Sequence, residues 1–204
     1  MHGFRAKALV FVLASVAAPF SGALLGTGAE RPAHASVSIA VTFEGLLKET
    51  TAAAVVTPVE QMSVWENGRI YTYTRVHTDR VLAGQIGDEA WVRTMGGIVG
   101  KIGQAVDGEA VLTLSRPCLL FLHPGPPGAL EVTARGQGQF PVVVNEKREV
   151  RLIKGSGSGA LLPPKARAGA LAQAAPLAAD VIHGRLVDDV AKDVSAAWAK
   201  AHAK

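Results

Sequence analysis

A mainly β fold is predicted, either a small antiparallel barrel (OB-like) or a sandwich of about six to eight strands, followed by a C-terminal amphipathic helix. Three observations predict it. Short alternating or continuous apolar runs follow one another closely from Val37 to Ile153. Asn-Gly, Gly-rich and Pro-rich turn signals separate them. Composition then changes abruptly at Gly155, and beyond Pro176 the apolar residues Ile182, Leu186, Val190, Val194 and Trp198 recur at every fourth position.

The first residues decide which part of the chain must fold. His2, Arg5 and Lys7 make a basic start, and Ala8 to Ala18 is an apolar run of signal-peptide length, shorter than the roughly 20 residues a spanning helix needs. Ala33 and Ala35 flank His34 as small residues of a peptidase site, so cleavage before Ser36 is expected. Residues 1–35 are thus read as a signal peptide, and an exported location, periplasmic or extracellular, follows. Removing them from the 204 residues leaves 169 and lowers the formal charge from +4 to +2, since Arg5, Lys7 and Arg31 leave with Glu30. That near-neutral balance, with no basic cluster interleaved with aromatics, argues against a nucleic-acid surface. It equally leaves no polybasic patch for a membrane, which the chain is expected to meet only through its signal peptide. Cys118 is the single cysteine, so an intramolecular disulfide is excluded and the core must supply stability.

Residues 36–153 are assigned to the barrel. Val37, Ile39, Val41 and Phe43 alternate as in a half-buried strand, while residues 43–50 also suit one or two helical turns. Residues 52–62 and 70–82 flank Glu66-Asn67-Gly68-Arg69, where Asn-Gly supplies the positive φ of a tight hairpin. In the second of these strands Ile70, Thr72, Thr74, Val76 and Thr78 share one face, with Tyr71, Tyr73, Arg75 and His77 on the other. Residues 90–95, 110–114, 118–123, 130–134, 140–144 and 149–153 complete the predicted strands. The apolar run from Cys118 to Leu122 suits a strand buried on both faces. Residues 154–176, rich in Gly, Ser, Pro and Ala, read as a linker, and 177–204 as a separable helical tail that Gly184 interrupts.

The glycine-dense stretch from Gly96 to Gly108 carries the most distinctive pattern. Gly100-Lys101 invites a phosphate-loop reading, but Met95 stands where the upstream glycine belongs and Ile102 where Ser or Thr is needed. Bulges, turns and a long loop crossing the barrel end are expected there, rather than a regular element. No cofactor or metal is predicted, because the histidines His77, His123, His183 and His202 lack ligand spacing. No catalytic residue is assigned either. A Gly-x-Ser-x-Gly elbow is missing, and paired carboxylates cannot be picked out among the scattered Asp and Glu. Cys118 and His123 lie five apart on one strand and face opposite sides, so a buried inert thiol is expected.

Val92-Arg93-Thr94, Gly96-Gly97, Gly100, Gly103-Gln104, Gly108-Glu109 and Leu120-Phe121-Leu122, with Tyr71-Thr72 upstream and Gly136-Gln137-Gly138 and Phe140 downstream, resemble a pattern of exported bacterial proteins of unassigned activity. The resemblance spans roughly residues 39–145. It implies a small extracytoplasmic β-barrel and carries over no catalytic residue. The expected function is that of a non-enzymatic binding or accessory module for an exported protein or a small ligand. Its surface would comprise Trp91, Arg93, Gly96, Gly97, Gly100, Gly103 and Gln104. A hydrolase with a site assembled from distant residues is the alternative.

Overall fold

The structure, a computed structural model, describes residues 37–155, 160–162 and 175–203. All of these fall within one compact unit, His34–Lys204. The expected signal peptide and its cleavage site at Ala33, Ala35 and Ser36 lie outside the described residues.

In chain order the elements are β1 (Val37–Ile39), α1 (Phe43–Glu49), β2 (Ala52–Glu66), β3 (Arg69–Gly84), β4 (Glu89–Met95), β5 (Gly97–Val99), β6 (Ile102–Gln104), β7 (Cys118–Pro124), β8 (Leu130–Val132), β9 (Gln139–Val144), β10 (Val150–Leu152), β11 (Ala160–Leu162), α2 (Ala178–Ile182) and α3 (Val187–Ala201). Strands β7, β2, β3, β4 and β8 pair in that order, and β7 also pairs with β8, so the sheet closes on itself. Every neighbouring pair is antiparallel except β4 with β8. A closed five-stranded barrel with an OB-like strand order results. β9 and β10 extend it from the β7 side.

The hairpin between β2 and β3 forms where the sequence places it. Asn67 and Gly68 take φ of +49° and +77°, the geometry of a tight turn whose twist matches the flanking strands. The two faces of β3 also alternate as expected, with Ile70, Thr74 and Val76 buried and Tyr71, Tyr73 and Arg75 half exposed.

Two cores share one wall. Inside the barrel pack Ala54, Val56, Val76, Val92, Cys118, Leu120 and Leu122. Outside it, Ala53, Val55, Leu119, Phe121 and Phe140 meet Leu46 and Leu47 of α1 and Ala178, Ile182, Val190, Ala191 and Val194 of α2 and α3. Alternate residues of β2 and β7 therefore face different cores, which is why Cys118 to Leu122 reads as an unbroken apolar run. α1 is capped by Thr42, whose hydroxyl accepts from the Gly45 N–H at 3.1 Å.

Several expectations are corrected. The C-terminal segment is part of the fold, because the stripe from Ile182 to Val194 closes the outer core and the Trp198 Nε1–H donates to the Thr50 carbonyl at 2.9 Å. Gly184 does interrupt the helix, at φ +78°, and its N–H donates to the Leu152 carbonyl so that the chain beyond α2 runs along the edge of β10. Residues 110–114 form no strand. The Gln139 amide accepts from the Val111 N–H and donates to its carbonyl at 2.9 and 2.6 Å, taking the place of a ladder partner while Ala110 and Leu112 fill the barrel interior. The first predicted strand shrinks to β1, which pairs in parallel with β11, a strand inside the expected linker. The glycine stretch contains a regular element after all, the hairpin of β5 and β6.

Candidate functional site

The residues singled out from the sequence separate into two groups. Trp91 and Arg93 stand on the outer face of β4, opposite Arg75 and Tyr73 of β3. Gly96, Gly97 and Gln104 lie in or beside the hairpin on the inner face, where each makes contacts within the fold. Gly96 and Gly97 have φ of +96° and +135°. A Cβ on Gly97 would come within 2.3 Å of the Thr72 hydroxyl and 2.5 Å of the Ser63 hydroxyl, and one on Gly96 within 2.7 Å of the Gln104 carbonyl. The Gln104 Oε1 accepts from the Ile70 N–H at 2.8 Å. This hairpin completes the hydrogen bonding of a polar inner surface, where Thr72 Oγ1 donates to the Gly96 carbonyl at 2.7 Å and Gln61 reaches Thr74 and the Leu112 carbonyl. Gly100 occupies the hairpin's turn and Gly103 lies on β6, both exposed.

Beside the outer face a cleft of about 370 Å³ opens between Tyr71, Arg93 and Met95 on one side and Glu109, His123, Glu131 and Arg135 on the other. Its charges are held against one another. The Arg93 guanidinium donates to Glu131 Oε1 and Glu66 Oε2, both at 2.9 Å, and lies 4.3 Å from the centroid of the Tyr71 ring. Burial opposes the Arg93 charge, but the bonds from Glu131, Tyr73 and Glu66 outweigh it and hold the guanidinium more firmly protonated than usual. The Tyr73 hydroxyl donates to Glu66 Oε1 at 2.6 Å, and that carboxylate pushes the phenol's pKa up. His123 lies 3.6 Å from Glu131 through Nε2 and 3.3 Å from the Thr133 hydroxyl through Nδ1.

Glu109 stands apart from this network. It is only 7% exposed, and burial pushes its carboxyl above the usual carboxylate range. The backbone N–H groups of Ala110, 3.3 Å away, and Met95 donate to it, and the Arg135 guanidinium is 3.8 Å away, but burial outweighs these partners. The wall that carries Arg135 is itself unusual, because Ala134 and Arg135 both adopt left-handed φ, +56° and +54°. Two consecutive non-glycine residues in that region cost conformational energy, and such strain clusters at functional sites. The Gly136 N–H ties this turn to the Gly108 carbonyl at 2.9 Å, next to Glu109.

Sequence reasoning reached Arg93 but missed Glu109, His123, Glu131 and Arg135 as a group. They come from the loop after β6, from β7, from β8 and from the turn after β8, so no local spacing could announce them. Of the other described histidines, His77 is exposed on β3. His183 Nδ1 accepts from the Lys154 N–H at 3.0 Å, and the ring of His202 stacks on Trp198 with centroids 4.3 Å apart. Cys118 is buried, and burial pushes its thiol up to about 12. Among the described residues no three His, Cys, Asp or Glu side chains group as metal ligands, and no helix is long and apolar enough to cross a membrane. No family model, curated protein or solved structure matches the chain.

Proposed function

We propose that the chain is an exported, non-enzymatic binding or accessory module, and that its ligand or partner is taken up by the cleft and the adjoining outer face around Trp91. The observation that carries this reading is the pairing of the cleft's charges. Arg93 is held by Glu66 and Glu131 and braced on Tyr71, which gives fixed donors and acceptors in a set orientation. Fixed polar groups beside aromatic and Met side chains are the composition of a recognition surface, where affinity comes from preorganisation. The outer face of the second and third barrel strands, here β3 and β4, is also where OB-like barrels commonly receive ligands, an analogy of fold and not of chemistry.

A hydrolytic reading is kept alive by one feature. Glu109 is a buried carboxyl inclined to hold its proton, facing the same cleft as Glu131, and a pair of carboxyls in different environments is what general acid catalysis uses.

The purified mature protein beginning at Ser36, screened by thermal shift against short peptides and oligosaccharides and assayed with ester, glycoside and peptide substrates, separates the two. Binding lost on Arg135→Ala, with no turnover of any substrate, is expected. Turnover abolished by Glu109→Gln would replace the binding reading with the enzymatic one. Mass spectrometry of the exported fraction checks the export step, and a chain retaining Met1 there would defeat it.

A further inference from the structure

The long hairpin of β2 and β3 leaves an edge open. β7 pairs with β2 only over Ala52 to Val56, and beyond it the Ser115 N–H donates to the Pro58 carbonyl. From Glu60 to Glu66, β2 has a ladder partner on one side alone, β3, among the described residues. The two-residue turn at Asn67-Gly68 fixes which groups are left over. In such a hairpin the closing pair, Glu66 with Arg69, exchanges both hydrogen bonds, and every second residue follows. The backbone groups of Val64 and Met62 therefore face β3, whereas the N–H and C=O of Gln61, Ser63 and Trp65 point to the open edge.

Natural edges of this kind are blunted by lysine, proline or bulges. Here Pro58 and the register shift after it guard only the start of the strip. The stretch Glu60-Gln-Met-Ser-Val-Trp-Glu66 contains neither lysine nor proline, and Met62 and Trp65 are 50% and 49% exposed.

We infer that the Glu60–Glu66 edge of β2 is the interface for a second copy of this chain, which pairs antiparallel about a two-fold axis at Ser63. The stretch is close to a palindrome in chemical character, and that selects the register. With Ser63 opposite its own copy, Gln61 lies opposite Trp65 and each edge-facing N–H and C=O meets a partner. On the outer face Met62 lies opposite Val64 on both sides of the axis, extending the apolar row of Tyr71 and Tyr73. Glu60 falls opposite Glu66, a repulsion that their arginine partners offset only in part, because Arg75 is shared between Glu60 and Glu89 and Arg93 between Glu66 and Glu131. Sliding one strand by a single residue would set edge-facing groups against residues whose groups already face β3, and sliding it by two toward the start of β2 would bring Trp65 opposite the bulged segment at Val59. An unrelated extended peptide would satisfy the backbone groups equally, but the self-matched Met62 and Val64 row favours the copy.

Two measurements on the mature protein test this. Sedimentation equilibrium from micromolar to millimolar concentration is expected to show a dimer, and the Met62→Lys variant a monomer, with unchanged far-UV circular dichroism. The register is read by mixing two single variants, Met62→Cys and Val64→Cys. Opposed positions that do not exchange hydrogen bonds lie about 4.5 Å apart, within disulfide reach, whereas a residue and its own copy across the axis lie about 7–8 Å apart. The mixture is expected to form disulfide-linked heterodimers under mild oxidation while neither variant alone does, Cys118 being buried in both. A wild-type monomer throughout, a dimer that Met62→Lys leaves intact, or equal cross-linking of each variant alone would overturn the inference. The first of those outcomes would leave the edge to a foreign strand.

Discussion

Replacing Ile182 by alanine tests whether the C-terminal helices belong to the core. Ile182 is fully buried, enclosed in the cluster that joins Leu46 and Leu47 to Phe121, Phe140 and Leu152. Deleting a buried isoleucine to its Cβ costs about 2–5 kcal/mol, more where the surroundings cannot close over the void. Here they are pinned, since the Gly184 N–H donates to the Leu152 carbonyl at 2.7 Å and the Leu152 N–H to the Arg185 carbonyl at 3.0 Å. The upper half of the range, about 3–5 kcal/mol, is therefore expected. For a chain of this size each kcal/mol lowers Tm by about 2–4 °C, so a fall of roughly 6–20 °C should be seen by calorimetry. Ser195→Ala, on the exposed face of α3, is the control and should stay within about 0.5 kcal/mol of wild type. If Ile182→Ala unfolds no earlier than Ser195→Ala, the helices are a detachable appendage and the two-core description fails.

Glu109→Gln should be at least as stable as wild type at neutral pH. The carboxyl is harder to ionise in the folded chain than in the unfolded one, so the unfolded state binds fewer protons as pH rises through the ordinary carboxylate range and stability is lost there. The gap between variant and wild type should close when denaturation is repeated below that range, and a wild type that instead loses ground to the variant on acidification would contradict the burial argument. Cys118, with its thiol raised to about 12 and its side chain inside the barrel, should react with a thiol reagent only as fast as the protein unfolds. Native labelling at the rate of a free peptide thiol would show that the barrel interior is open.

What the chain determines locally is legible in the order of its residues. Asn67-Gly68 is a hairpin turn because only residues tolerant of positive φ close two strands without splaying them. The faces of β3 follow from period two, and the apolar run of β7 from burial on both sides. Even the burial of Cys118 follows from its place in that run. Other features depend on partners distant in sequence. Gln139 replaces a strand for Val111, and nothing in residues 110–114 themselves distinguishes a ladder partner from a side-chain amide. The stripe from Ile182 to Val194 announces a helix that needs a surface, but which surface is decided by the outer wall of the barrel, where Ala53, Leu119 and Phe121 leave an apolar face uncovered. The cleft is the extreme case. Closure of β4 onto β8 sets Arg93 beside Glu131, and the turn after β8 sets Arg135 beside Glu109. Charge pairing of this kind depends on distance in space, which a period along the chain does not encode.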